Sequence, residues 1–383
     1  MRDYWLFSQN RNRCNRFVYN PNFEGINELI TLVTKLAAIA DDALYEEIRR
    51  MVIVTVFTKD RLDRSERTFT QWRNSPYPVF VLDDSHSETN RARNLIIARE
   101  NGLIYHGSSE QQKFLSQMGM TDLFQFTGRL GSKTWNLGNN RNYALILTVA
   151  TGHRFVILCD DDVLVDRTTL LRVGRDLESR GGFVGAQITG MLDDSIVGHL
   201  YRQAGRIVVP QYTSGTFLGV DSSAVSLPFF NFYNEDWIWL CLENQGHNVE
   251  QTYCVEQLYY DPFFDWKERV FFQEEGEILW EGVYEAVSKS CTNDLSSVAF
   301  WIDVIKQRRS RIKSLISLIL PERTKNIAVE IQQTLLNHLD KLDSQHFSNT
   351  MNTYLHSADN WRKLYRKVKR IGSSTHTQVD IRI

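Results

Sequence analysis

The chain has 383 residues, 42% of them hydrophobic and 23% charged, with a formal net charge of −2. That length suits about two domains, or one large α/β domain with an appendage, and the near-neutral charge gives no ground for nucleic-acid binding. Five scattered cysteines without CxxC spacing argue against a disulfide framework or a zinc knuckle and for a reducing compartment. The start, Met1-Arg2-Asp3-Tyr4, has no apolar signal core, and no apolar run is long enough to span a bilayer. A soluble, cytoplasmic protein is expected.

Residues 1–25 read as a polar and aromatic lead-in. From Ile26 to Arg50 the apolar residues recur at helical spacing, which predicts an amphipathic helix. Met51 to Phe57 is apolar apart from Thr55 and reads as a buried strand. The polar turn Thr58-Lys59-Asp60-Arg61 then opens a helix carrying Phe69 and Trp72. Pro78–Leu82 predicts a second strand ending in Asp83-Asp84-Ser85. A helix over about 87–101 and a short strand at Leu103-Ile104-Tyr105 follow. Strand and helix alternate every 20–30 residues or so, the rhythm of parallel βαβ units.

Residues 107–134 show no clear period. Asn136–Leu145 reads as a polar loop entering a helix that ends near Gly152. Phe155–Cys159 is the clearest strand, apolar throughout and therefore buried on both faces. It runs into Asp160-Asp161-Asp162. A helix over about 166–179 and strands at 183–186 and 216–220 come next, with 187–215 as a candidate flexible acceptor loop. Asn234 reads as the N-cap of a helix that begins Glu235-Asp236-Trp237. Beyond residue 290 glycine nearly vanishes and helical patterns dominate. The expected division is a lead-in and helix over 1–50, a catalytic domain over 51–290, and a helical extension over 291–383.

Three adjacent acids cannot sit inside a strand without a large desolvation cost. They belong at its C-terminal end, the edge where open α/β sheets bind ligands. Side chains alternate along a strand, so Asp160 and Asp162 share a side and can grip a metal and a ribose hydroxyl. Asp83 and Asp84 end a neighbouring strand and offer acceptors to a nucleobase or ribose. Arg61 and Arg141 open helices beside these acids, where a guanidinium can clamp a phosphate. Glu235 and Asp236 stand among Phe229, Phe230, Phe232, Tyr233, Trp237 and Trp239, a setting that suits sugar rings. One of the two can take a proton from an acceptor hydroxyl. The isolated histidines show no metal-ligand pairing and read as structural. Residues 361–370 place Trp361, Leu364, Tyr365 and Val368 on one side among cations, a pattern for a membrane surface or a partner.

In this order the elements resemble the GT-A glycosyltransferases, most closely those of the broad family 2 type. Val54–Leu62 is similar to the first strand and its "T-x-x-N-R-x-x-L" turn, with Asp60 in place of Asn. Val81–Ser85 is similar to the "V-D-D-x-S" strand end. Gly138–Ala144 resembles the "G-x-x-x-A-R-N-x-G/A" helix, and Gly152–Asp162 the strand that carries the Asp-x-Asp motif. Asn234-Glu235-Asp236-Trp237 is similar to the acceptor-side "E-D" motif. Together they span residues 50–260.

The resemblance implies a Rossmann-like, mostly parallel sheet with helices on both faces. It implies a nucleotide-diphosphate sugar donor, a Mn2+ or Mg2+ ion and a carbohydrate or other hydroxyl-bearing acceptor. Asp162 would bind the metal and Asp160 the ribose, with Asp161 beside them. Asp236 would act as the base of an inverting reaction, with Glu235 positioning the acceptor. One departure stands out. Gln257-Leu258-Tyr259-Tyr260-Asp261 holds no histidine where many such enzymes complete the metal site, a place Asp261 could take. A retaining transferase and a non-catalytic nucleotide-sugar-binding scaffold remain open on the same residues.

Overall fold

The computed structural model describes residues 47–120, 136–191, 194–206 and 213–374, the side chains of 371–374 excepted. The helix expected over 26–50 falls outside that range apart from its end, and residues 47–51 are helical. Eight strands form one sheet in the order β3-β2-β1-β4-β7-β6-β8-β5. They are β1 Val52–Thr58, β2 Val79–Asp83, β3 Ile104–Gly107, β4 Phe155–Asp160, β5 Val163–Leu164, β6 Phe183–Gly190, β7 Phe217–Asp221 and β8 Gln251–Gln257. Four of the seven pairings are parallel: β1 with β2, β1 with β4, β2 with β3, and β6 with β8. The α/β class, the mostly parallel sheet and the helical C-terminal region expected of a GT-A chain are what forms.

The sheet's first half is built as the apolar runs dictate. All seven residues of β1 and the first five of β4 are buried. Strands this apolar are stable only with both faces covered. One face presents Ile53, Phe57, Val156, Leu158, Leu218 and Val220 to a core shared with α4, Leu137–Ala150. On the other face Gly219 leaves room for Val173 and Leu177 of α5, Arg167–Arg180. Helices therefore lie on both faces. Short side chains start them: Ser87 accepts from the Asn90 amide ahead of α2, Glu88–Glu100, and Asp166 accepts from the Thr169 amide ahead of α5.

Chain direction decides where the site falls. From β1 the chain winds outward through β2 and β3, then returns to β4 on the other side of β1. The C-terminal ends of β1 and β4 thus flank a topological switch point, where the crevice of an open α/β sheet lies. Register brings Phe57 opposite Asp160 and Thr58 opposite Asp83. The turn after β1 opens α1, Leu62–Thr68, which a 3-10 segment carrying Phe69 and Trp72 continues.

Several elements exceed what the sequence pattern showed. Ser108–Gln117 is a helix (α3) in a stretch read as irregular. β8 is a mostly exposed polar strand, so it carries no apolar signal. Part of the expected acceptor loop is ordered structure: β6 runs to Gly190, and Ile196–Gln203 is a helix, α6. The acid-bearing helix α7, Glu235–Glu243, is followed after β8 by α8, a helix of 23 residues over Trp266–Ser288.

Past α8 the chain continues as α9 Val298–Ser314, α10 Glu322–Leu339 and α11 Ser344–Ser374. Their apolar faces join the core of the sheet, through Trp301, Ile331, Leu335, Tyr354 and Trp361 among others. Tyr354 also donates to the Pro228 carbonyl at 2.8 Å. This alters the reading of residues 361–370. Trp361, Tyr365 and Val368 are buried inside the molecule, each worth about 1.5–3 kcal/mol of transfer energy. The apolar side offered to a membrane or partner is thus already covered, and the cations alone face outward.

Candidate active site

At the switch point the residues line a cavity of about 360 Å³. Eight of the nine residues singled out from sequence line it: Arg61, Asp84, Arg141, Asp160, Asp161, Asp162, Glu235 and Asp236. Asp83 does not. It is fully buried, accepts from the Ser85 amide at 2.8 Å, and receives Asn94 and the Tyr105 hydroxyl on its other oxygen at 3.0 and 2.9 Å. With both oxygens engaged in the core, Asp83 holds the strand end in shape, and Asp84 is the acid that faces the cavity. Asp84 accepts from Asn136 at 2.7 Å and pairs with Lys59 at 3.3 Å.

Arg141 is the centre of the arrangement. Its side chain is 2% exposed and lies over the rings of Phe57 and Phe229. Its guanidinium reaches three acids: Asp160 at 3.5 Å, Glu235 at 3.4 Å and Asp236 at 4.0 Å. A cation among three partly desolvated carboxylates lowers the cost of bringing them together. Gly215 makes the approach possible, because a Cβ there would overlap the Arg141 guanidinium and crowd Asp236. The Gly215 amide instead donates to Asp236 at 2.5 Å. Sequence reading passed over Gly215, for a lone glycine ahead of a strand carries no local signal.

Asp161 and Asp162 are each 3% exposed at the side chain and are paired by arginines. Asp161 accepts from Thr58 at 2.7 Å and from Arg61 at 3.4 Å. Burial pushes its carboxyl up to about 6, with Arg61 opposing the shift. Asp162 receives Arg61 at 3.1 Å, Arg64 at 2.6 Å and Gln257 at 3.2 Å. Arg64 was not foreseen, although it follows Arg61 by three residues and so shares its helix face. Asp261 does not line the cavity; its carboxylate accepts from the Phe263 amide. Among the described residues no group of three His, Cys, Asp or Glu gathers as a metal site.

The aromatic setting of Glu235 and Asp236 differs from the expectation. Phe229, Phe230 and Trp239 are fully buried, and Phe229 stacks on Trp239 at 4.2 Å. Of the six aromatics, only Tyr233 and Trp237 line the cavity. The remainder form core beneath the acids. Across the opening, Tyr260, Arg269 and Phe272 complete the wall. His199 lies beside Tyr260 at 3.4 Å, and burial lowers its pKa to about 4, so it stays neutral and structural.

No family model matches the chain, and no curated protein does. Among solved structures it is similar to glucosyl-3-phosphoglycerate synthase from Mycobacterium tuberculosis in complex with Mn2+, UDP and glucosyl-3-phosphoglycerate. That likeness has a TM-score of 0.42 and 14% identity, covering 63% of this chain and 83% of that one. It is also similar to mouse xyloside xylosyltransferase 1, with a TM-score of 0.28 and 11% identity over 45% of this chain and 67% of that one. Among the described residues no helix is long and apolar enough to cross a membrane.

Proposed function

We propose that the chain is a glycosyltransferase that moves a sugar from a nucleotide-diphosphate sugar to an acceptor hydroxyl with inversion, using Asp236 as general base. The observation that carries this reading is the convergence on Arg141. The acid that ends β4 and the acid pair that opens α7 meet one buried cation inside one cavity. A donor phosphate group near Arg61 and Lys59 and an acceptor hydroxyl near Asp236 then face each other across the anomeric carbon. We further assign the catalytic part to residues 51–290, the helical extension to 291–383, and a lead-in to residues 1–50.

The chain's own groups divide the work. Lys59 and Arg61 line the mouth and meet the diphosphate; a guanidinium does this bidentately. Asp84 and Asn136 offer an acceptor and an amide to ribose or base. Asp236 accepts the proton of the acceptor hydroxyl as that oxygen bonds to the anomeric carbon and the nucleotide diphosphate leaves. Glu235, buried against Arg141, fixes the guanidinium that in turn orients Asp236.

A divalent ion fits these residues under one condition. Hard cations of this kind are held through one or two carboxylates plus substrate phosphates, and Asp160 and Asp162 line the same cavity with such oxygens. Arg61 and Arg64 neutralise Asp162, so an ion held there would share its oxygens with two guanidiniums. When bound, Mn2+ or Mg2+ would neutralise charge on the leaving diphosphate.

The test is a thermal-shift panel of UDP-, GDP-, dTDP- and CMP-sugars with and without Mn2+, followed by turnover of the donor that binds. Binding to the folded state alone raises the midpoint. Asp236→Asn is expected to keep the donor's shift and lose about 10²–10⁴-fold in kcat. Undiminished turnover in that variant would sink the base assignment.

A further inference from the structure

The acid pair does not stand on its own helix alone. Asn234, the residue before Glu235, has φ 63° and ψ 27°, a left-handed conformation that a side chain makes costly. Its side chain makes no capping bond to α7. Instead its amide group donates to Glu277 of α8 at 3.1 Å. Glu277 is buried, and its other oxygen receives Arg308 of α9 at 3.3 Å.

Arg308 is itself buried and holds Glu274 through two bonds of 2.7 Å and Glu281 at 2.8 Å. Arg311 also reaches Glu281. The backbone is clamped at the same place. Gly276 presses against Tyr233, and a Cβ there would overlap the Tyr233 carbonyl. One turn of chain, Tyr233-Asn234, is thus gripped by α8, and α8 is fixed by a guanidinium from the helical extension.

We propose that Asn234 and Glu277 are positioning residues for the Glu235–Asp236 pair, and that Arg308 makes the C-terminal extension part of the active site. The inference rests on the transferase reading for its consequence in turnover, though not for its geometry. The physical case is one of preorganisation. A base must lie within about 3 Å of the proton it takes, and an error of about 1 Å in a reacting group can cost about 100-fold. Asp236 is the second residue of α7, directly after the left-handed turn at Asn234. Without an external hold that turn can relax, and the direction of the Asp236 carboxylate relaxes with it. The bond from Asn234 to Glu277 supplies the hold, and Arg308 keeps Glu277 in place.

Asn234→Gly is the direct probe, because glycine tolerates the left-handed turn but removes the amide that holds it and leaves the backbone free to move. We expect kcat to fall by about 10- to 100-fold, with the donor's thermal shift unchanged. Hydrogen exchange, read by mass spectrometry, should quicken over residues 230–240 and stay as in the parent over 52–58. Glu277→Ala should behave the same way. Glu277→Gln keeps one oxygen for Asn234 but sets an NH2 against Arg308, so its turnover should fall less than that of Glu277→Ala. Parental turnover and parental exchange in both Asn234→Gly and Glu277→Ala would overturn the proposal. Lost turnover with parental exchange would make Asn234 a substrate contact and overturn it as well. If the parent protein turns over no nucleotide sugar, the transferase reading fails on its own, and exchange over 230–240 alone decides the positioning role.

Discussion

The two ends of the cavity are held by different means. The donor edge is made of strand ends and the turn directly after β1. Thr58, Arg61 and Arg64 lie within seven residues of one another and satisfy Asp161 and Asp162 directly. The acid pair at the other end is held from a distance. Arg141 and Gly215 meet the acids, and Glu277, with Arg308 behind it, holds the preceding Asn234. The first arrangement is local and partly exposed, since the Arg61 side chain is 51% exposed. The second is buried and runs through three helices. A donor edge that must exchange a phosphate-bearing ligand benefits from movable arginines. A base that must meet one hydroxyl at one angle benefits from a fixed frame. Substitutions should therefore act differently at the two ends.

The largest effect should come where the two ends meet. Arg141→Ala leaves Asp160, Glu235 and Asp236 facing one another without their cation. Removing one partner from a buried charge cluster costs about 3–5 kcal/mol. Chemical denaturation should show a loss of that order, and both donor binding and turnover should fall together. If only turnover falls, Arg141 belongs to the acid end alone and the cavity has no shared centre. Gly215→Ala tests the same centre from the opposite side. The added methyl overlaps the guanidinium, so it should reproduce much of the binding loss while keeping every charge in place.

This contrast also decides what could be read without a structure. The donor edge is written in short, contiguous patterns. β1 and β4 are mostly apolar, buried runs, and an acid triplet after such a run has only one place to go. Motif order set Arg141 beside the strand-end acids, but its meeting with Glu235 came only from the structure. What held the acid turn was not readable. Glu274, Glu277 and Glu281 fall on one face of α8, and that face is buried. Three carboxylates on a buried face contradict the apolar period by which helices are recognised. Only a partner some thirty residues further on, Arg308, makes them stable there. Asp83 failed for a related reason. A strand-end acid looks the same whether it faces a cavity or, as here, a tyrosine and an asparagine in the core. The aromatics near residue 230 were read as a sugar platform because composition cannot tell a wall from the packing behind it.

A smaller effect should sharpen the acid end through pH. Burial raises the Glu277 carboxyl to about 7, Arg308 opposes this, and the charges of Asp194 and Glu281 add to it. The bond from Asn234 also opposes the rise. A carboxyl with a raised folded-state pKa binds its proton more tightly folded than unfolded. Its contribution to stability is complete below about 4.5 and is lost as pH rises through about 7. The parent should thus lose stability between pH 5 and pH 8 from this group, and Asp161, raised to about 6, should act in the same direction. Glu277→Gln resembles the protonated form at every pH. Its melting temperature should match the parent's near pH 5 and exceed it at pH 8. A parallel pair of curves would mean that Arg308 keeps Glu277 ionised throughout.

The smallest effect belongs to the donor edge and concerns the metal directly. Arg64 pairs with Asp162 at 2.6 Å, and its guanidinium lies 5.7 Å from the Tyr260 ring centroid. If Asp162 is a metal ligand, Arg64 competes with the ion for the same oxygen. Arg64→Ala should then tighten Mn2+ binding in the absence of nucleotide, by roughly tenfold or less, since Arg61 still holds the same Asp162 oxygen. Titration calorimetry without any sugar nucleotide measures this independently of turnover. The acid end should not respond: hydrogen exchange over 230–240 should match the parent's. Unchanged Mn2+ affinity in Arg64→Ala would remove Asp162 from the ligand set and leave only Asp160 of the Asp160–Asp162 pair. The arginines would then be the permanent counter-charges of the triplet, as the buried Arg308 is for the acids of α8.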